Sequence, residues 1–108
     1  MHEVKAVIRP ELVETVIQAL QGVEAMPGLI VSTVRGHGRR SAGAQSATVF
    51  DDVPMAKIEV VVGDELLSAV VDVIRTHAHT GRDGDGRIFV SAVGLVVAIR
   101  STGSERGQ

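Results

Sequence analysis

A glycine-rich segment near the end of the chain carries the residue types best suited to hold an anion. Gly81, Gly84 and Gly86 permit backbone angles at which consecutive N–H groups can converge on a negative charge. Arg82 and Arg87 add guanidinium groups that can bind phosphate through forked hydrogen bonds. The spacing matches neither a Walker A loop nor a dinucleotide-binding fingerprint, so the segment predicts an anion site without naming the ligand. The segment reads HTGRDGDGRIFV over residues 79–90.

The other polar residues do not form a catalytic pattern. Asp51 and Asp52 are adjacent carboxylates with no acid–base partner, and we interpret them as solubilising loop residues. His77 and His79 stand two positions apart and therefore do not share a helix face. We interpret them as residues favoured by the negative C-terminal end of a helix. Because no nucleophile and base can be paired, we expect a protein that is not an enzyme and has no catalytic cofactor.

Composition excludes several classes of protein. The 108 residues are 44% hydrophobic, which suits one domain with one core and argues against disorder. Phe50 and Phe89 are the only aromatic residues and the net charge is −2, which argues against nucleic-acid binding. The chain has no cysteine, so disulfides and thiolate metal sites are excluded. Without a long apolar run or a signal peptide, we expect a cytoplasmic protein with no membrane insertion.

The hydrophobic periodicity alternates between strand and helix patterns along the chain. Two helices can cover only one face of a four-stranded sheet, yet apolar residues such as Val61, Val97 and Ile99 remain for another surface. We therefore expect an α+β ferredoxin-like βαββαβ sandwich that assembles with other subunits. The predicted elements are a strand at His2–Arg9, a helix from Pro10 to Gly22, a strand at Leu29–Arg35, a strand at Met55–Val62, a helix capped by Asp64, a strand at Arg87–Val93 and a short extra C-terminal strand at Leu95–Arg100.

A polar stretch, Gly36–Asp52, separates the second and third predicted strands. It is rich in Gly, Ser, Ala, Gln and Arg and has no sustained period, so we interpret it as an exposed, mobile loop. A connection of this length in a small domain is more often functional than a simple link. Within a single domain spanning 1–108, we expect a flexible segment at about 37–54 and a polar tail at 101–108.

Four segments, in order along the chain, resemble the PII family of signalling proteins. Thr80–Val90 is similar to the B-loop of that family, and Val34–Arg39 is similar to the start of its T-loop. Lys57–Val62 resembles the strand that follows the T-loop, and Ile99–Gly103 resembles the C-terminal segment. The resemblance covers the chain from Val4 to Gly103. Four pieces at compatible spacing are more specific than any one of them.

This resemblance implies a homotrimer that binds ATP or ADP, with AMP as a third candidate, in clefts between neighbouring subunits. It also implies that the T-loop reports the bound nucleotide to a protein partner, either a transporter or a metabolic enzyme. Asp85 can only accept hydrogen bonds, so we assign it a backbone or ribose contact and not a phosphate contact. The nucleotide-binding positions implied by the resemblance are Gly36, Gly38, Arg39, Lys57, Gly84, Asp85, Gly86 and Arg87, with Arg100 contributed across the subunit boundary.

Several departures from the family pattern favour a divergent branch. The chain has no tyrosine, so uridylylation of the T-loop is excluded. Arg40 occupies the position of a glutamine that helps to bind magnesium and 2-oxoglutarate, and Ala98 occupies the position of an arginine. The loop is also short, as in PII-like proteins that occur beside carboxysome and bicarbonate-transport genes. His37, Arg39 and Arg40 are therefore candidate residues for bicarbonate or another small anion.

The sequence leaves several functional hypotheses open. The first is an adenine-nucleotide sensor in inorganic-carbon metabolism with bicarbonate as coligand. The second is a nitrogen-regulatory PII protein that lacks uridylylation. The third is a trimeric metal-binding module of the same fold, motivated by His37, His77 and His79. A small isomerase on this fold would need a buried acid–base pair, and the sequence offers none.

Overall fold

The computed structural model describes the backbone of residues 1–41 and 48–100, and the side chains of residues 1–36 and 53–100. The order of the elements is βαββαβ, which confirms the predicted α+β ferredoxin-like fold. The elements are β1 (His2–Ile8), a 3-10 turn (Pro10–Leu12), α1 (Val13–Gln21), β2 (Ile30–Ser41), β3 (Thr48–Val62), α2 (Asp64–Ala78) and β4 (Gly86–Ala92).

The four strands form one antiparallel sheet in the order β2-β3-β1-β4, and both helices lie on the same face of it. Alternate residues of the two central strands point towards the helices, as the period of a strand requires. In the middle of this face Ala6 pairs with Ile58 on one side and with Ile88 on the other. Val16 and Leu20 complete the core from α1, and α2 contributes residues at the same helical spacing. No helix in the described ranges is long and apolar enough to cross a bilayer.

The opposite face of the sheet, here called the open face, carries apolar side chains that the chain itself leaves uncovered. Ile30, Val53 and Phe89 are 64%, 43% and 52% exposed. The register places them on the same side as Lys57 and away from the core. Apolar exposure of this extent on one sheet face is typical of a surface that packs against another protein.

The prediction that Gly36–Asp52 is a loop without secondary structure is wrong for most of its length. β2 and β3 remain paired from Ile30 opposite Glu59 to Ser41 opposite Thr48. An antiparallel ladder is held by backbone hydrogen bonds, and two strands can satisfy each other without a buried face. Because the sequence pattern detects burial and not pairing, it missed this extension. Residues 42–47 lie outside the described backbone.

Two smaller predictions also need correction. Gly63 and not Asp64 is the N-cap of α2, and Asp64 instead contacts the His2 ring at 2.8 Å. The predicted extra strand at Leu95–Arg100 is reduced to one bridge at Val96, followed by a turn. A strand needs backbone pairing over successive residues, and here only Val96 has it. Residues 101–108, the predicted polar tail, lie outside the described residues.

Candidate functional site

The glycine-rich segment between α2 and β4, here called the glycine loop (residues 79–86), approaches the backbone of β1 very closely. Gly86 is the first residue of β4 and pairs with Ile8. Its φ is +110°, and a Cβ at this position would lie 1.8 Å from the Val7 carbonyl oxygen. No side chain can occupy that space, so glycine is required here by the fold itself.

The carboxylate of Asp85 holds the glycine loop together from within. Its Oδ2 accepts the backbone N–H of Thr80 at 2.7 Å and that of Gly81 at 3.2 Å. Its Oδ1 accepts the Thr80 hydroxyl and the Nε of Arg9, the latter at 2.9 Å. These bonds, led by those from the Thr80 side chain and backbone, hold the pKa of Asp85 far below its usual range. Asp85 therefore remains ionised, and both of its carboxylate oxygens are occupied by these hydrogen bonds.

Arg9 links this loop to the end of β1. Besides its bond to Asp85, it donates from Nη2 to the Asp83 carbonyl oxygen at 2.6 Å. Its side chain is only 19% exposed, and it lies directly before Pro10, where the first helical turn begins. Two charge-assisted bonds from a half-buried guanidinium fix the loop at two points against the rest of the domain.

The N–H groups in the middle of the glycine loop are left without a protein partner. Within the described residues, the backbone nitrogens of Asp83 and Gly84 donate to no atom, while those of Thr80, Gly81 and Arg82 all do and that of Asp85 closes the turn at 83–84. Gly84 has a φ of +88°, in the region that allows neighbouring N–H groups to point the same way. The arrangement presents free donors beside a fixed turn, which suits an anion.

Lys57 and Arg87 flank this region on the open face. Both pair with Val7, which lies between them on β1. Adjacent strands are about 4.8 Å apart, so the two Cα atoms lie roughly 10 Å from each other. The Lys57 Nζ lies 3.7 Å from the Glu59 carboxylate, which is one pleat away on the same strand. Two cations on either side of an apolar residue could hold separate oxygens of a polyphosphate.

The glycines of β2 lie in the pairing between β2 and β3. Gly36 pairs with Val53 and Gly38 with Asp51, whereas Lys57 pairs with Ser32. Lys57 therefore lies four residues further along β3 than Val53, the partner of Gly36. The side chains of the predicted anion residues at positions 37, 39 and 40 lie outside the described ones.

The remaining predicted residues are not brought together in a single chain. Arg100 is exposed in a turn at the end of the described backbone, and it makes no hydrogen bond or ion pair with the described residues of the glycine loop. The ring of His77 lies 2.9 Å from the Val73 carbonyl oxygen, and that of His79 lies 3.5 Å from Asp85. Among the described residues, no three His, Asp or Glu side chains are grouped as metal ligands would be.

Sequence reasoning missed the structural importance of Arg9 and Thr80. Arg9 precedes its partner Asp85 by 76 positions, and nothing local to Arg9 indicates that contact. The visible signal was an arginine at the end of a strand, directly before a helix-opening proline. For Thr80 a hydroxyl five residues before an aspartate was visible, and such pairs commonly close turns.

Known proteins similar to this chain carry one family name. Residues 1–103 match the family model described as nitrogen regulatory protein P-II. The nitrogen regulatory protein P-II of Bradyrhizobium diazoefficiens is 38% identical over 94% of this chain and 93% of its own length. The nitrogen regulatory protein P-II 2 of Methanothermobacter thermautotrophicus is 43% identical over 94% of this chain and 90% of its own length. The nitrogen regulatory protein P-II 1 of Escherichia coli is 38% identical over 97% of this chain and 96% of its own length.

Proposed function

Because this chain belongs to the nitrogen regulatory protein P-II family, we propose that it is a trimeric sensor of adenine nucleotides that signals through the β2–β3 hairpin. Proteins of this family are non-catalytic signalling regulators, so the chain is a regulator and not an enzyme. Family membership also confirms the resemblance found in the sequence. The assignment to a bicarbonate-associated branch stays a prediction.

The free N–H groups of Asp83 and Gly84 carry the proposal of a nucleotide site. They lie in a loop already fixed by hydrogen bonds, beside the positive charge of Arg87. A polyphosphate offers concentrated negative charge, and donors held in place bind it without a further ordering cost. The proposed contacts are Gly36, Gly38, Arg39, Lys57, Gly84, Asp85, Gly86 and Arg87, with Arg100 reaching the cleft from the adjacent subunit.

Calorimetric titration with ATP, ADP and AMP tests this site. We expect Arg87→Ala to weaken ADP binding by about tenfold or more, because a charge-assisted hydrogen bond to phosphate is lost. Lys57→Ala should have a smaller effect, since Lys57 already lies near the Glu59 carboxylate. Gln18→Glu changes the net charge by the same amount at an exposed position of α1 and serves as the charge control. Binding no tighter than roughly millimolar by the unaltered protein would contradict the proposal.

The open face supports the proposed trimer. Phe89 is 52% exposed there, and it pairs with Lys5 of β1. Burying the exposed half of this ring against other subunits would remove apolar surface from water and so stabilise the assembly. We expect Phe89→Glu to dissociate the assembly in light scattering coupled to size exclusion, and Phe89→Leu to preserve it. A monomeric unaltered protein at micromolar concentration would overturn this part.

The coligand decides between two forms of the regulator. The relatives named above are nitrogen regulatory proteins, which favours 2-oxoglutarate as the coligand. Arg40 and the absence of tyrosine instead favour a divergent regulator with bicarbonate as the coligand. Nucleotide affinity measured with bicarbonate, and separately with 2-oxoglutarate and magnesium, distinguishes them. A true coligand must change the affinity of the protein for nucleotide. By linkage, the nucleotide must then change the affinity for the coligand by the same factor.

A further inference from the structure

Arg9 holds the glycine loop without occupying the position of a ligand. Its two donors go to the Asp85 carboxylate and the Asp83 carbonyl oxygen, at 2.9 and 2.6 Å. An added Cβ on Gly84 would lie 3.6 Å from Nη2 of Arg9, so the guanidinium packs along the loop backbone. The free N–H groups of Asp83 and Gly84 lie next to the Asp83 carbonyl that Arg9 contacts.

Both oxygens of Asp85 accept two hydrogen bonds each, and three of the four donors are in the loop itself. Thr80 and Gly81 supply those three, and Arg9 supplies the only one from outside the loop. Without Arg9, the Thr80–Asp85 contacts could persist, but nothing would fix the closed turn relative to β1. The loop would then retain its local shape and lose its placement.

We propose that Arg9 is a positioning residue for the nucleotide site, setting the Asp83 and Gly84 N–H groups in place before the ligand arrives. This role rests on the proposed function, and it raises affinity by preorganisation, since a fixed loop has less freedom to lose on binding. Thr80 acts in the same unit through Asp85. The effects of the two residues are therefore coupled.

The test uses the full chain and compares Arg9→Met with Arg9→Lys. Methionine keeps length and apolar bulk but removes both donors, whereas lysine keeps the charge and can reach one acceptor. We expect Arg9→Met to weaken ADP binding by roughly tenfold to a hundredfold, the range typical of lost charge-assisted bonds. Arg9→Lys should recover part of the loss. Gln18→Glu, at an exposed position of α1, makes the same change in net charge away from the site and serves as the control.

A second readout separates positioning from direct contact. In the ligand-free protein, the amide NMR shifts of Gly81, Gly84 and Gly86 should move in Arg9→Met and not in Gln18→Glu. If Arg9 only contacted the nucleotide, those ligand-free shifts would stay unchanged. We also expect Arg9→Met combined with Thr80→Val to cost less than the product of the two single losses, because both act through one carboxylate.

The outcomes distinguish this inference from the proposed function. Nucleotide binding by the unaltered protein together with ADP affinity within twofold in Arg9→Met would overturn the positioning role alone. Unchanged ligand-free amide shifts would overturn it as well, whatever the affinity. Absence of any nucleotide binding by the unaltered protein would overturn the proposed function, and the positioning role with it. A folded fraction measured by circular dichroism confirms that each variant is compared as a native protein.

Discussion

At Gly86 an added Cβ would lie 1.8 Å from the Val7 carbonyl oxygen, whereas at Gly36 the nearest atom would be the Met55 Cγ, 3.2 Å away. Gly86 also has a φ of +110°, while Gly36 has no positive φ. The first glycine is required because two backbones meet there. The second has space that a flexible methionine can yield, so the fold alone does not require it.

A glycine in a proposed binding site is therefore informative about function only when the fold itself does not require it. A glycine that the fold needs says little about a ligand, since it would be present in any protein with this backbone. A glycine that the fold could replace has another reason, and close approach of a ligand to the backbone is one. Gly36 is thus the more informative of the two for function, although Gly86 is the more important for stability.

Gly86→Ala should have the largest effect of any substitution considered. The methyl group cannot be accommodated against the Val7 carbonyl, so we expect a loss of about 4 kcal/mol or more in the free energy of unfolding. Gly84→Ala is the matched variant, because its φ is +88° but its nearest neighbour would be 3.6 Å away. There only backbone strain applies, about 1–2 kcal/mol. Urea unfolding measures both, and equal losses would show that the steric contact is not the cause.

Asp85→Asn should have an intermediate, pH-dependent effect. Either orientation of the amide places its NH₂ against two donors, so we expect lower stability than the unaltered protein at pH 7. The folded-state pKa of Asp85 lies below its unfolded value. Its stabilisation is therefore present above about pH 4 and is lost as the pH falls further, towards the folded-state pKa. The difference in the free energy of unfolding between Asp85→Asn and the unaltered protein should therefore shrink below about pH 4.

Urea unfolding midpoints at a series of pH values from 7 down to 2.5 test this expectation. Glu65→Gln removes an exposed carboxylate from the first turn of α2 and is the control for charge. Asp64, whose pKa is also lowered by its contacts with the N-terminus and His2, is present in every protein and cancels from the comparison. A stability difference that does not change between pH 7 and pH 2.5 would refute the assigned role of the Asp85 carboxylate.

Gly36→Ala should have the smallest effect on stability and a clear effect on binding. Because Met55 can shift by a few tenths of an ångström, we expect a change within about 0.5 kcal/mol in the free energy of unfolding. ADP affinity should fall at least severalfold if the backbone of β2 lies against the nucleotide. Thermal melts with and without ADP measure both quantities. A variant with unchanged ADP affinity would remove Gly36 from the proposed site.

The sequence predicted the fold well where burial leaves a periodic signal. The alternating core residues of β1 and β3 and the apolar stripes of α1 and α2 identified those four elements. The extension of β2 and β3 through positions 36–41 and 48–52 escaped prediction, since pairing between two backbones leaves no such pattern. The placement of Lys57 opposite Ser32 was also out of reach, because it depends on the register of the hairpin.

By itself the sequence determined the element order, the family and the presence of a glycine loop with nearby arginines, because these depend on local residue types and their spacing. Only the tertiary structure decided which groups in that loop are free to bind. It brought Arg9 to Asp85 across 76 positions and placed Gly86 against Val7. Hydrogen bonding between distant residues depends on how β1 and β4 pair, and that pairing is a property of the assembled sheet.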